Sequence, residues 1–146
     1  MVGCGKAKDP RPGALPARER YTSPLFRKSL ELAERTADVV YIASTWFELL
    51  NPHARIQTYN YTLVGGRKAE REAWGSRVVS RLLSRHRAAE IASVTIYAGA
   101  DYYEPIARAL HDARPGGIPT IRALGNLQVG QRLAELNRLL GAARAA

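Results

Sequence analysis

The sequence predicts an α/β domain, three layers α/β/α built on a central, mostly parallel sheet of about four strands. Three observations carry that expectation. Val39-Val40-Tyr41-Ile42-Ala43-Ser44 and Ser93-Val94-Thr95-Ile96-Tyr97-Ala98 are unbroken apolar, β-rich runs, the pattern of strands covered on both faces. Segments with helical spacing lie between the strand-like runs, and strands alternating with helices imply parallel crossovers. The strand-like segments end at Gly3-Cys4-Gly5, at Ser44 to Glu48 and at Gly99-Ala100-Asp101, which all leave the sheet at the carboxyl edge where open sheets of this kind hold their ligands.

The elements follow in order. Residues 1–4 read as the end of a first strand, short because only Met1 and Val2 precede the glycines, which leaves room for a longer native start. Residues 9–19 form a loop rich in Pro, Gly and Arg. Ser23 followed by Pro24 is an N-cap with proline in the first helical position, and a helix over residues 24–36 places Phe26, Leu30, Ala33 and Ala37 on one buried face. Arg27, Glu31 and Arg35 share a solvated face as i,i+4 pairs. Residues 39–43 should be a buried central strand. Residues 45–67 lack clear periodicity and read as a functional loop with room for one helical turn; its Trp46 and Phe47 are expected to fill the core. A second helix over residues 68–88 buries Trp74, Val78 and Leu82. Residues 94–98 are the next central strand, residues 102–113 a third helix with Asp101 placed to cap it, and residues 118–123 a shorter strand that Pro119 confines to a strand start or an edge. Gly125 through Gly130 lead into a last helix carrying Leu133, Leu136 and Leu140 at helical spacing.

Composition bounds the rest. At 146 residues and 46% hydrophobic content, the chain is expected to be one domain over residues 1–146 with a substantial core. One cysteine and three histidines argue against a disulfide framework and a zinc site, so no metal and no cofactor are expected and the compartment should be intracellular, the cytoplasm. No apolar run approaches the ~20 residues that span a bilayer, so no membrane partner is expected. The formal charge of +9 and pI near 10.2 favour polyanions, DNA first among them. Arg77, Arg81 and Arg85 repeat every four residues along the second helix, either as a solvated face or as a nucleic-acid-binding stripe.

Gly3-Cys4-Gly5-Lys6-Ala7-Lys8 combines a glycine turn with two lysines, and Tyr21-Thr22-Ser23 stands at the mouth of the first helix. Such a corner suits an anion or a nucleotide. The spacing is neither a P-loop nor the G-x-G-x-x-G dinucleotide fingerprint, and spacing alone favours a plain glycine turn leaving a strand. Cys4, Lys6, Tyr21, Ser23, Ser44, Tyr59 and Asp101 should converge on one pocket at the carboxyl edge of the sheet.

Taken in order, Gly3-Cys4-Gly5-Lys6-Ala7-Lys8, Tyr21 through Ser29, the strand and turn at 41–50, Asn51-Pro52, Tyr59-Asn60-Tyr61-Thr62-Leu63, Trp74, Ala98-Gly99 and residues 124–131 resemble a widespread uncharacterised family of small bacterial, archaeal and phage proteins over nearly the whole chain. That family is similar, more remotely, to the YaaA peroxide-stress proteins, which bind DNA and whose architecture has been likened to the uracil-DNA-glycosylase fold. The resemblance implies a nucleobase or nucleic-acid site around Cys4 and Lys6. The sequence departs from the family at Glu48, often a glycine in relatives, and at Asn60, often an acid.

Base excision by an N-glycosidase needs a carboxylate to support cationic character on the sugar and donors for the departing base. Glu48 and Asp101 are the strand-end carboxylates that would act as catalytic groups, with Cys4, Lys6, Tyr21, Ser23, Ser44, Tyr59 and Asn60 as substrate-binding residues. A flipped or free base would be the substrate. The alternatives are a non-catalytic YaaA-like DNA-binding stress or defence protein, and an accessory domain that binds a small nucleotide.

Overall fold

The computed structural model describes residues 1–145. Its elements are β1 (Val2–Gly3), β2 (Leu15–Pro16), α1 (Ala17–Arg20), α2 (Pro24–Thr36), β3 (Ile42–Ser44), β4 (Glu48–Leu50), β5 (Arg55–Ile56), α3 (Lys68–Arg85), a 3-10 turn (Ala88–Glu90), β6 (Val94–Ile96), α4 (Ala100–Asp112), β7 (Thr120–Arg122) and α5 (Val129–Ala145). This is a mixed α/β fold with five α-helices among the described residues and small, partly antiparallel sheets.

β1 lies parallel to β3, with Val2 opposite Ile42, and β3 turns back into antiparallel β4. β6 and β7 are parallel, Val94 opposite Thr120. An isolated parallel bridge joins Val2 to Tyr97. Around it Gly3 N donates to Tyr97 O and Tyr97 N to Met1 O, both at 2.9 Å. The antiparallel pair β2–β5 stands apart.

Side chains on successive strand residues point to opposite faces, and the apolar clusters follow that period. Val2, Ile42, Leu50 and Tyr97 pack with Phe26, Leu30 and Ala33 of α2 and with Leu136 and Leu140 of α5. Met1, Ala43, Leu49 and Ile96 pack instead with Trp74, Val78 and Leu82 of α3 and with Ile106 and Leu110 of α4. Helices α3 and α4 meet at Gly75, where an added Cβ would lie 2.5 Å from the backbone C and O of Pro105.

α2 begins and ends where its sequence places it, with Ser23 Oγ accepting from Phe26 N at 3.1 Å. Several expectations need correction. The central strand starts at Ile42 and not at Val39, which is 54% exposed beyond the paired residues. Residues 9–19 are not all loop: β2 and the start of α1 fall among them. Two short strands, β4 and β5, replace a structureless 45–67 segment because Leu49, Leu50 and Ile56 find cover. Trp46 does not fill the core; it is 59% exposed. The third helix starts two residues early, at Ala100, with Gly99 as its N-cap, so Asp101 lies inside the first turn and caps nothing.

Candidate functional site

A cleft of about 570 Å³ opens where β1 and β6 end. The β1 end supplies Gly3, Cys4, Gly5 and Lys6, and the β6 end Tyr97, Ala98 and Gly99. Three helices begin at its wall: α2 through Ser23 and Phe26, α4 through Gly99 and Tyr102, and α5 through Val129 and Arg132. Gly5 suits this closure, since a Cβ there would sit 2.9 Å from Ser23 Oγ and oblige that N-cap hydroxyl to shift.

The electrostatics of the cleft are one-sided. Lys6 and Arg132 line it and, among the described residues, no Asp or Glu does. Arg132 Nε donates to Leu127 O at 2.8 Å, which holds the guanidinium beside the start of α4: a Cβ on Gly99 would lie 3.5 Å from one terminal nitrogen and 3.8 Å from the other. Helix N-termini carry partial positive charge, and the start of α4 has no side-chain cap. A cation set against that end, itself in the first turn of α5, is unfavourable until an anion lies between them.

Next to the cleft is a hydroxyl cluster. Tyr21 Oη lies 2.7 Å from Tyr59 Oη and 3.0 Å from Ser44 Oγ, and Ser44 Oγ is 3.1 Å from Tyr59 Oη. Thr45 Oγ1 lies 3.2 Å from Tyr59 Oη. The Tyr59 hydroxyl also donates to Cys4 Sγ at 3.8 Å, which joins the cluster to the cleft wall. Backbone pairing of Lys8 with Tyr21 brings the Lys8 ammonium to 4.3 Å from the Tyr59 ring centroid. Burial lowers the Lys8 ammonium below its ordinary value. Burial first, and the electrostatic influence of the neighbouring Cys4 sulfur second, raise Tyr21 and push Tyr59 up to about 12. Both phenols are therefore neutral at physiological pH and serve as hydrogen-bond groups.

The expected residues thus divide. Cys4, Lys6 and Ser23 line the cleft. Tyr21, Ser44 and Tyr59 adjoin it through Cys4, with Ser44 O taken by Trp74 Nε1 at 2.9 Å. Exposed Asn60 and half-exposed Asp101 lie outside its lining. The Asp101 carboxylate is 3.9 Å from Arg71 Nε, on the helical turn whose Gly99 and Tyr102 do line it.

Glu48 stands elsewhere. Its carboxylate bonds Arg77 Nε at 3.0 Å and Arg81 Nε at 2.5 Å, and Arg85 donates to Leu49 O while stacking 5.1 Å from the Tyr41 ring centroid. The arginine stripe therefore clamps β4 to α3, while the Arg77 and Arg81 side chains stay 54% and 56% exposed. Glu48 has φ of 66°, a left-handed conformation that suits glycine. Replacing Glu48 with glycine should relieve about 1 kcal/mol of backbone cost and lose two half-exposed ion pairs worth roughly 0.2–1 kcal/mol each. Urea unfolding is expected to show a net change within about 1 kcal/mol; a loss above about 2 kcal/mol would give the clamp more weight than these exposures allow.

Arg132 and Tyr102, with Ser29, Thr62 and Tyr97, are among the cleft residues that sequence reasoning missed. Arg132 carries a signal, since a cation in the first turn of a helix runs against the helix dipole.

A mixed α/β domain with a cationic cleft at its strand ends is the class that fold and site define. The chain belongs to the family of unknown function DUF6884, which matches residues 1–138. No curated protein and no solved structure matches it. No helix among the described residues is long and apolar enough to cross a membrane.

Proposed function

We propose that this chain binds a nucleotide or nucleic acid, DNA first, through phosphate held in the strand-end cleft. The single observation that carries the reading is the apposition of Arg132 and Lys6 to three helix starts in a cleft that no carboxylate lines among the described residues. About 570 Å³ falls in the range of small-ligand sites, and the +9 charge supports a polyanionic partner. We also infer that the Val2–Tyr97 bridge makes one sheet of order β4-β3-β1-β6-β7 between two helical layers, α2/α5 and α3/α4. The cleft then lies at its carboxyl edge, as in other open sheets. A YaaA-like cytoplasmic DNA-binding role fits this arrangement.

Base excision is the second reading, favoured by Asp101 on the turn of α4 that lines the cleft. Glu48, tied to two arginines, is the weaker candidate for the same role.

Calorimetric titration with thymidine 5′-monophosphate tests binding. Lys6→Ala and Arg132→Ala should each weaken it by roughly tenfold or more, the worth of one charged hydrogen bond. Unchanged affinity in both variants would remove the cleft from the account. Incubation with damaged and modified DNA, read by mass spectrometry for released bases, tests chemistry. Release abolished by Asp101→Asn selects excision, and absence of release from every substrate selects binding alone.

A further inference from the structure

Trp46 is large, apolar and 59% exposed, whereas Trp74 is fully buried. Its position is nevertheless fixed. The β3–β4 turn that carries it closes on Glu48, clamped by Arg77 and Arg81; Phe47 N donates to Ser44 Oγ at 3.1 Å. Thr45 Oγ1 donates to Tyr61 O at 3.2 Å, tying this turn to the following loop. The indole stacks on Tyr59 at 26° with centroids 6.4 Å apart, and meets Tyr61, 41% exposed, edge-on at 5.8 Å.

Resting on the cleft as a nucleotide site, we propose that Trp46 and Tyr61 form a base-stacking step that extends it along a single-stranded polynucleotide. Every base presents a π-face, so a rigid exposed indole accepts any base of an unpaired strand, whereas bases in a duplex are already stacked on one another. The occupant is chosen by charge and continuity. Lys8 stands 4.3 Å from the centroid of the Tyr59 ring on which Trp46 stacks, Lys6 lines the adjoining cleft, and both fit a phosphate backbone and not an apolar protein surface. The chain itself runs from Tyr61 into Thr62, a cleft residue, and Tyr59 reaches Cys4 on the cleft wall. One phosphate in the cleft and the next base on Trp46 is the arrangement this continuity favours.

Trp46 provides its own reporter, because Trp74 is shielded from ligand. Adding a twelve-residue oligothymidylate to the whole chain should quench the exposed indole. Trp46→Ala should weaken binding of that strand by about 5- to 150-fold, the span of single stacking contacts, and Trp46→Phe should restore most of it. Binding of thymidine monophosphate in the cleft should be the same in all three proteins, and equal thermal midpoints establish that the exposed substitution leaves the fold intact. A twelve-residue oligouridylate run alongside assigns the strand to DNA or RNA, and a blocked duplex of equal length should show no dependence on Trp46. Equal affinity of the parent and Trp46→Ala for both single strands overturns the stacking step, as does a strand that binds no tighter than the monophosphate. Monophosphate binding lost in Arg132→Ala but kept in Trp46→Ala sustains the cleft in either case. Strand binding that needs Trp46 without any monophosphate binding keeps the stacking step and retires the cleft.

Discussion

Replacing Gly75 with alanine is expected to destabilise the protein by roughly 3 kcal/mol, the upper end of overpacking costs, although alanine is the better helix former by about 1 kcal/mol. The sign follows from what the methyl would meet. It would lie 2.5 Å from both C and O of Pro105, backbone atoms that no rotamer change can move, so α3 and α4 would have to separate along the contact that buries Trp74, Val78 and Ile106. Valine at the same position should leave no stable fold. Gly141 supplies the control: it lies within α5, an added Cβ meets nothing within 4 Å, and alanine there should stabilise by about 0.5–1 kcal/mol. Thermal or urea unfolding of the two alanine variants reads both effects. Two gains of equal size would mean that the α3–α4 approach is looser than described.

Arg20 carries the second large effect. It is fully buried and, among the described residues, forms no ion pair with a carboxylate. Its guanidinium donates instead to four backbone carbonyls: Asp9 O at 2.6 Å, Arg11 O at 2.9 Å, Gly13 O at 2.5 Å and Ile56 O at 3.2 Å. The loop before β2 is thus wrapped around one side chain and fixed to β5. Methionine would fill much of the volume and supply no donor. Each orphaned carbonyl costs about 1–3 kcal/mol when water cannot reach it, and since the loop side can regain water, the expected loss is about 3 kcal/mol. Hydrogen exchange should show the change concentrated in residues 9–14 and in β5. Uniform loss of protection across the molecule would assign Arg20 to the global core.

These positions also show where the sequence is legible. Ser23-Pro24 announces α2 because capping is a local interaction between residues three apart, and the α3 and α5 periodicities are visible for the same reason. The strands are harder to bound. Only two or three residues of each pair, so their ends are set by neighbours such as Tyr97 beside Val2 and not by their own pattern. Arg20 is one arginine among many until four carbonyls close on it, and Gly75 looks like a propensity cost until Pro105 is opposite. The Arg77, Arg81 and Arg85 spacing is plain in the chain; its partners, Glu48 and Leu49 O, come from β4 and are invisible there. Cys4, Lys6 and Ser23 were legible as a corner because they flank a strand end and a helix start. Arg132, more than a hundred residues away, joins them only through the fold.

The measurement that bears most directly on the central claim is amide chemical-shift mapping of the uniformly labelled chain during titration with thymidine 5′-monophosphate. The largest shifts should fall on Gly5, Lys6, Leu25, Gly99 and Arg132 around the cleft, with Arg77, Arg81 and Arg85, which do not line it, unmoved. Shifts centred on that arginine row, with Gly5 and Gly99 unchanged at saturation, would contradict it.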